Sequence, residues 1–134
     1  MALGTRLALD TNAYSALQQG AKTALNKLIS TASSVALPLT VVAELRAGFA
    51  YGNQEPDNLA KLEGFMASPR ASVLYPDDQT ASLYAKIWSD LRRKGRPIPT
   101  NDIWIAALCI QNDYALSTND SDFEYVALLR TALI

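Results

Sequence analysis

The chain has 134 residues, 49% of them hydrophobic, so it is long enough to bury a core and we expect one compact domain over residues 1–134. Twelve basic against thirteen acidic residues give a formal charge of -1, which excludes a strong overall electrostatic field for nucleic acid. The sequence contains no histidine and a single cysteine, Cys109, which excludes zinc sites, Ser-His-Asp triads and Cys-His pairs. Any catalysis must therefore depend on carboxylates or on a metal with oxygen ligands.

The sequence shows no sign of targeting to a membrane. No segment approaches the ~18 continuous apolar residues of a membrane helix, and the opening MALGTRLALD lacks the apolar run of a signal peptide. A single cysteine cannot form an internal disulfide, which agrees with a reducing compartment. We therefore expect a soluble, cytoplasmic protein.

The first part of the chain alternates between strand and helix patterns. RLALD, which ends at Asp10, predicts a short buried strand, and TNAYSALQQG predicts a capped helix that Gly20 ends. A second helix precedes VALPLT, a second buried strand in which Pro38 favours an edge position or a bulge. A third helix is predicted from Thr40 to about Gly52.

The alternation continues to the end of the sequence. A fourth helix precedes ASVLYP, a third strand, and DDQTASLYAKIWSDLRRKG predicts an amphipathic helix with Trp88 in its core stripe. PTNDIWIAALCIQND predicts a helix buried on most of its circumference, with Pro99, Thr100 and Asn101 forming its turn and cap. YALST predicts a fourth strand, NDSDF a loop, and EYVALLRTALI a short final helix or strand.

This order of elements predicts the α/β class, with an open, mostly parallel sheet covered by helices on both faces. Sheets of this kind bind ligands at the carboxyl ends of their strands. Asp10 closes the first strand, Glu44 lies early in the third helix, Asp102 opens the buried helix, and Asp120 and Asp122 follow the fourth strand. We therefore expect these acids on one rim of the sheet.

Each of these acids also has a structural interpretation. Asp10 would cap a helix, and Glu44 would be an ordinary surface residue. Asp102 would lie at a helix N-terminus, where the helix dipole favours a negative charge. Asp120 or Asp122 would shape an Asx turn. Together, however, several close carboxylates repel one another and attract a cation. Since only oxygen ligands are available, the cation would be Mg²⁺ or Mn²⁺, and such a site suits the hydrolysis of phosphodiesters.

Four motifs occur in order along the chain: LDTN (Leu9 to Asn12), AELRAG (Ala43 to Gly48), TNDIWIAA (Thr100 to Ala107) and STNDSDF (Ser117 to Phe123). They resemble the motifs of PIN-domain ribonucleases, and most closely those of the VapC-type toxins of toxin-antitoxin modules. The resemblance covers nearly the whole chain and implies a single PIN-like domain over residues 1–134, a three-layer α/β/α sandwich with a mostly parallel central sheet. It also implies a Mg²⁺- or Mn²⁺-dependent endoribonuclease, a homodimer, and a cognate VapB-type antitoxin whose tail covers the acidic pocket.

The resemblance also implies roles for individual residues. The metal-binding quartet would be Asp10, Glu44, Asp102 and an acid of the last motif. Relatives carry that last acid at either of two nearby positions, so Asp120 is the first choice and Asp122 a second candidate. The polar auxiliary positions, which would hydrogen-bond the acids or a metal-bound water, are Asn12, Asn101 and Thr118, with Thr11 as an alternative to Asn12.

A basic run, RRKGR, stands just before the third motif and contains Arg92, Arg93, Lys94 and Arg96. One interpretation is a helix end, where the dipole and water favour cations. The other is a contact with RNA phosphates, sensitive to salt and blind to sequence. Three aromatic residues would stack an unpaired base or else lie in the core or an interface: Tyr14, Tyr51 and Trp104.

Two other functions remain open from the sequence. The first is a phosphatase with Asp10 as nucleophile, because a strand followed by Asp also occurs in aspartyl-phosphate folds. Asn12, where those enzymes generally carry a second acid, and the lack of their lysine motif count against it. The second is a catalytically inert PIN-like module that binds RNA or protein and keeps the acids for architecture. The intact set of motif acids counts against this one.

Overall fold

The structure, a computed structural model, describes residues 5–20 and 23–133. Its elements in chain order are β1 (Thr5–Leu9), α1 (Thr11–Gln19), α2 (Thr23–Thr31), β2 (Ala32–Pro38), α3 (Leu39–Tyr51), α4 (Glu55–Met66), β3 (Ala71–Leu74), α5 (Asp78–Arg93), α6 (Thr100–Asn112), β4 (Ala115–Thr118), the 3-10 helix η1 (Ser121–Tyr125) and β5 (Thr131–Leu133). The predicted alternation of strands and helices is confirmed.

The five strands form one sheet in the order β3-β2-β1-β4-β5, and each neighbouring pair is parallel. β1 lies at the centre, where Leu7 pairs with Val35 of β2 and with Ala115 of β4. Helices cover both faces, so Leu7, Ala8 and Leu9 are all fully buried. The α/β architecture is confirmed, and the carboxyl ends of β1 and β4 meet side by side at one edge of the sheet.

Two helices end at the positions that the sequence predicts. Gly20 adopts the left-handed conformation (φ 67°) that ends α1, and Gly95 does the same (φ 68°) after α5. A capping box begins α5, because the Asp77 carboxylate accepts the Thr80 N–H and the Thr80 hydroxyl accepts the Asp77 N–H.

Two predictions about prolines need correction. Pro38 marks neither an edge strand nor a bulge, because β2 lies between β1 and β3 and the register irregularity of β1 and β2 falls between Thr5 and Arg6. Pro38 is the last residue of β2 and the N-cap of α3. Pro99 is likewise the N-cap of α6 and makes no side-chain bond, so Thr100 and Asn101 lie inside that helix rather than capping it.

The segment after β4 resolves the two open predictions for the chain end. The predicted loop NDSDF is irregular only at its first two residues, because Ser121 to the buried Phe123 belong to η1. Of the predicted final helix or strand, Thr131–Leu133 forms the short edge strand β5. Trp88, predicted for the core stripe of α5, is 41% exposed, and the guanidinium of Arg92 lies 4.6 Å from its ring centre.

Within the described part of the chain, no helix is long and apolar enough to cross a membrane.

Stability should depend on the central strands. Leu116 of β4 is 0% exposed, whereas Leu128 is 76% exposed in the segment before β5. We expect Leu116→Ala to lower the free energy of unfolding by about 2–5 kcal/mol because it leaves a cavity in the core. Leu128→Ala, the same chemical change at the surface, should shift it by about 0.5 kcal/mol or less. Urea denaturation measures both, and equal losses would contradict the assigned core.

Candidate functional site

Asp10 follows the last residue of the central strand β1 and is 6% exposed. Its Oδ1 accepts the N–H of Ala13 at 2.8 Å, so it caps α1, and its Oδ2 accepts the hydroxyl of Thr118 at 2.5 Å. Burial raises the pKa of Asp10, while the hydrogen bonds from Thr118 and Ala13 oppose that rise. The helix-cap interpretation of Asp10 is therefore confirmed, and the same carboxylate also faces a pocket.

Glu44 lies in the second turn of α3 and lines the same pocket as Asp10. Burial raises the pKa of Glu44, and the charge of Asp10 adds to the rise. Among the described residues, neither Oε1 of Glu44 nor Oγ1 of Thr11 has a hydrogen-bond partner, although both atoms are buried. A buried carboxylate oxygen left in this way is costly unless it takes a proton or a cation.

Asp102 lies in the first turn of α6 and lines the same pocket. Burial raises its pKa from 3.8 to about 6, and negative charges contribute to the rise in the order Asp120, Glu44, Asp10 and Asp122. Negative charges from four other positions of the sequence thus act on Asp102.

The last motif contributes Asp120 and Asp122 through the start of η1. Asp120 is the N-cap of η1, and its Oδ1 accepts the N–H of Asp122 at 2.9 Å. The N–H of Asp120 in turn donates to the hydroxyl oxygen of Thr118 at 3.0 Å. The buried Thr118 hydroxyl therefore joins the Asp10 side chain to the Asp120 backbone. The predicted Asx-type turn at Asp120 is confirmed.

These side chains surround one open pocket of about 170 Å³ at the edge where β1 and β4 end. Its lining residues are Asp10, Thr11, Asn12, Glu44, Asp102, Ile105, Asp120 and Phe123. Four of the five acids predicted to share a rim therefore line one pocket, and Asp122 does not. Sequence reasoning missed the two apolar walls. The position of Ile105, one helical turn after Asp102, and that of Phe123, at the end of the fourth motif, could have indicated both.

The remaining predicted residues lie outside this lining. Asp122 influences Asp102 through its charge, Asn101 is exposed on α6, and Thr118 is buried behind the acids. The basic run is exposed at the end of α5 and in the connection that follows: Arg92, Arg93, Lys94 and Arg96.

The three aromatic candidates have different surroundings. Tyr14 is buried and packs edge-on against Phe65 with ring centres 5.4 Å apart, so the core interpretation holds for it. Trp104 is half-buried against Tyr84 at 4.7 Å, whereas Tyr51 is 96% exposed.

The lining fits a hard divalent cation in its chemistry. Its polar side chains offer oxygen donors alone, and burial raises the pKa of the Cys109 thiol deep in α6, so no thiolate competes. In residues 5–20 and 23–133, no three potential ligands are already arranged to hold an ion. Mg²⁺ generally keeps several waters and takes one or two carboxylates, so an open set of acids suits it better than a closed cage.

Comparison with known proteins places this arrangement in context. The family model described as PIN domain matches residues 7–129. Ribonuclease VapC1 of Haemophilus influenzae is 34% identical over 90 residues, which are 66% of this chain. The chain spans 65% of the length of that curated relative.

Two crystal structures have similar folds. VapBC2 from Rickettsia felis, bound to a DNA fragment from its promoter, gives a TM-score of 0.85 at 22% identity and covers 95% of this chain and 97% of that one. DNA-bound VapBC from Salmonella typhimurium gives a TM-score of 0.83 at 26% identity and covers 96% of this chain and 98% of that one.

The raised pKa of Asp102 makes stability depend on pH in a defined direction. The folded protein holds this proton up to about pH 6, whereas the ordinary value is 3.8, so metal-free protein should lose stability as pH rises between the two. Asp102→Asn should flatten this decline and be more stable than the wild type at about pH 7. Urea denaturation in chelator across this pH range measures the effect.

The decline should not vanish in this variant, because burial also raises the pKa values of Asp10 and Glu44. Identical pH profiles for the wild type and Asp102→Asn would show that Asp102 is not held in a repulsive, desolvated position.

Proposed function

Because the chain belongs to the PIN domain family, we propose that it is a Mg²⁺- or Mn²⁺-dependent endoribonuclease that acts as the toxin of a VapBC-type toxin-antitoxin module. The single observation that carries this proposal is the acidic pocket, in which Asp10, Glu44, Asp102 and Asp120 face one another. The ribonuclease name of the Haemophilus influenzae relative and the VapBC assembly from Salmonella typhimurium support the reaction and the biological setting.

In this proposal Asp10, Asp102 and Asp120 would hold the cation, with Asp122 as a further candidate ligand. When bound there, a divalent ion would supply neutralising charge and would lower the pKa of a water molecule for phosphodiester hydrolysis. Asp10 is held at both oxygens, one by the Ala13 N–H and one by the Thr118 hydroxyl, so its orientation is set before any ligand arrives. Oδ2 keeps capacity for a cation, since a carboxylate oxygen accepts more than one partner.

Glu44 has a different role from the anchored Asp10. Its Oε1 is buried and unpartnered among the described residues, so it is the oxygen best suited to accept a proton or orient a water molecule. Asp120 is better supported than Asp122 as the fourth acid, because Asp120 lines the pocket and contributes the largest charge effect at Asp102. Ile105 and Phe123 limit water on the apolar side.

The phosphatase alternative finds no support in the pocket. Among the described residues that line it, none is a lysine or arginine to bind a phosphoryl group beside Asp10. The alternative of a catalytically inert module predicts no RNA cleavage by the wild type, so an RNA cleavage assay tests both this alternative and the leading proposal.

Substitution of the pocket acids should abolish RNA cleavage. We expect Asp10→Asn and Asp102→Asn each to lower Mn²⁺-dependent cleavage by about a hundredfold or more, because each removes a negative ligand and leaves the shape intact. Asp57→Asn, at an exposed acid in the first turn of α4, is the matched control and should cleave like the wild type. Gel assays with purified protein measure this, and equal cleavage by all the proteins would reject the nuclease assignment.

We further propose that the chain forms a homodimer in the cytoplasm and that a VapB-type antitoxin inhibits it by covering the acidic pocket. The open, negatively charged pocket suits a basic segment of such a partner. Sedimentation should give twice the 14.5 kDa of one chain, and adding a VapB-type antitoxin that binds the chain should yield a heavier complex that cleaves no RNA. A monomer that stays active in the mixture would contradict both parts.

A further inference from the structure

Two cations in the connection between α5 and α6 contact the same residue, Tyr125. The Lys94 ammonium donates to the backbone carbonyl of Tyr125 at 3.1 Å and pairs with Asp90 at 2.8 Å. The guanidinium carbon of Arg96 lies 4.7 Å from the centre of the Tyr125 ring. We call this pair of contacts the Tyr125 brace, and it holds both the backbone and the side chain of one residue.

Tyr125 is the last residue of η1, the short helix that Asp120 caps. The opposite end of the cationic connection runs into α6, where Asp102 lies in the first turn. The Tyr125 brace therefore ties the segment that leads to Asp102 to the segment that carries Asp120. These two acids line the pocket and repel each other.

We propose that Lys94 and Arg96 are positioning residues, which hold η1 through Tyr125 so that Asp120 stays within reach of a cation shared with Asp102. This inference rests on the proposed function, because it assumes that the two acids bind one divalent ion. The buried side chain of Phe123 holds η1 against the core, but apolar contacts are non-directional and do not fix the direction in which η1 runs along the surface. The Tyr125 brace supplies that direction with a hydrogen bond and an aromatic contact.

The neighbouring cation Arg93 offers a natural comparison. It is exposed, and within residues 5–20 and 23–133 its side chain makes no hydrogen bond, ion pair or ring contact. It therefore keeps the RNA-phosphate prediction in full, whereas the Arg92 guanidinium lies over the Trp88 ring. Loss of any positive charge near an acidic pocket favours cation binding, whereas loss of the Tyr125 brace should weaken it. The two roles thus predict effects of opposite sign.

Calorimetric titration of RNA-free protein with Mn²⁺ separates them. Lys94→Ala and Arg96→Ala should each weaken Mn²⁺ binding by about threefold to tenfold. This effect is small for residues that orient metal ligands, because both side chains are exposed and water screens their contacts. Arg93→Ala removes the same charge from the adjacent position and should not weaken it. Lys94→Arg should restore the affinity, because it keeps a charged donor for the Tyr125 carbonyl.

Two further measurements follow the same residues. In metal-free Lys94→Ala, the amides of Asp122, Phe123 and Val126 should exchange hydrogen faster than in the wild type, because their bonds lie within or beside η1. In RNA cleavage, kcat should fall at limiting Mn²⁺ and recover at high Mn²⁺, while KM for RNA stays unchanged.

The proposed positioning role of the Tyr125 brace is overturned if Lys94→Ala has the same Mn²⁺ affinity and the same amide exchange rates as Arg93→Ala. It is equally overturned if Lys94→Ala changes only the KM for RNA and its dependence on salt, which would assign Lys94 to RNA phosphates. If the wild type itself binds no Mn²⁺, the proposed function fails, and the exchange comparison in metal-free protein still decides whether the Tyr125 brace holds η1.

Discussion

Repulsion among carboxylates held in one partly buried pocket is the constraint on which the site depends. Burial and neighbouring negative charge raise the pKa values of Asp10, Glu44 and Asp102 together. Without a cation, these groups oppose the folded state near neutral pH. The apolar parallel sheet beneath them must offset that cost, and its central strand β1 buries Leu7, Ala8 and Leu9 completely.

Anchoring of the acids relies on backbone groups and on one buried hydroxyl. The Thr118 hydroxyl donates to Asp10 and accepts from the N–H of Asp120, so it orients acids from two neighbouring strands. Glu44 has no comparable restraint among the described residues. The pocket thus combines a fixed carboxylate with a less restrained one, a division that suits separate tasks of ligand and proton acceptor.

Local patterns in the sequence account for most of the fold and for the positions of the acids. Strand and helix periods, together with glycines such as Gly20 and Gly95, depend on neighbouring residues and could be predicted. The place of Pro38 inside the sheet could not, because strand order depends on contacts far along the chain. The contacts of Lys94 with Tyr125 were likewise hidden, since a run of cations carries no information about its partners.

The bond between Thr118 and Asp10 joins residues 108 positions apart. It cannot form until β4 has docked against β1, so completion of the pocket requires closure of this long stretch of chain. During synthesis, the first three motifs leave the ribosome before the fourth. A growing chain therefore cannot complete the acidic pocket until residues 115–120 have left the ribosome, because β4 carries Thr118 and leads directly to Asp120.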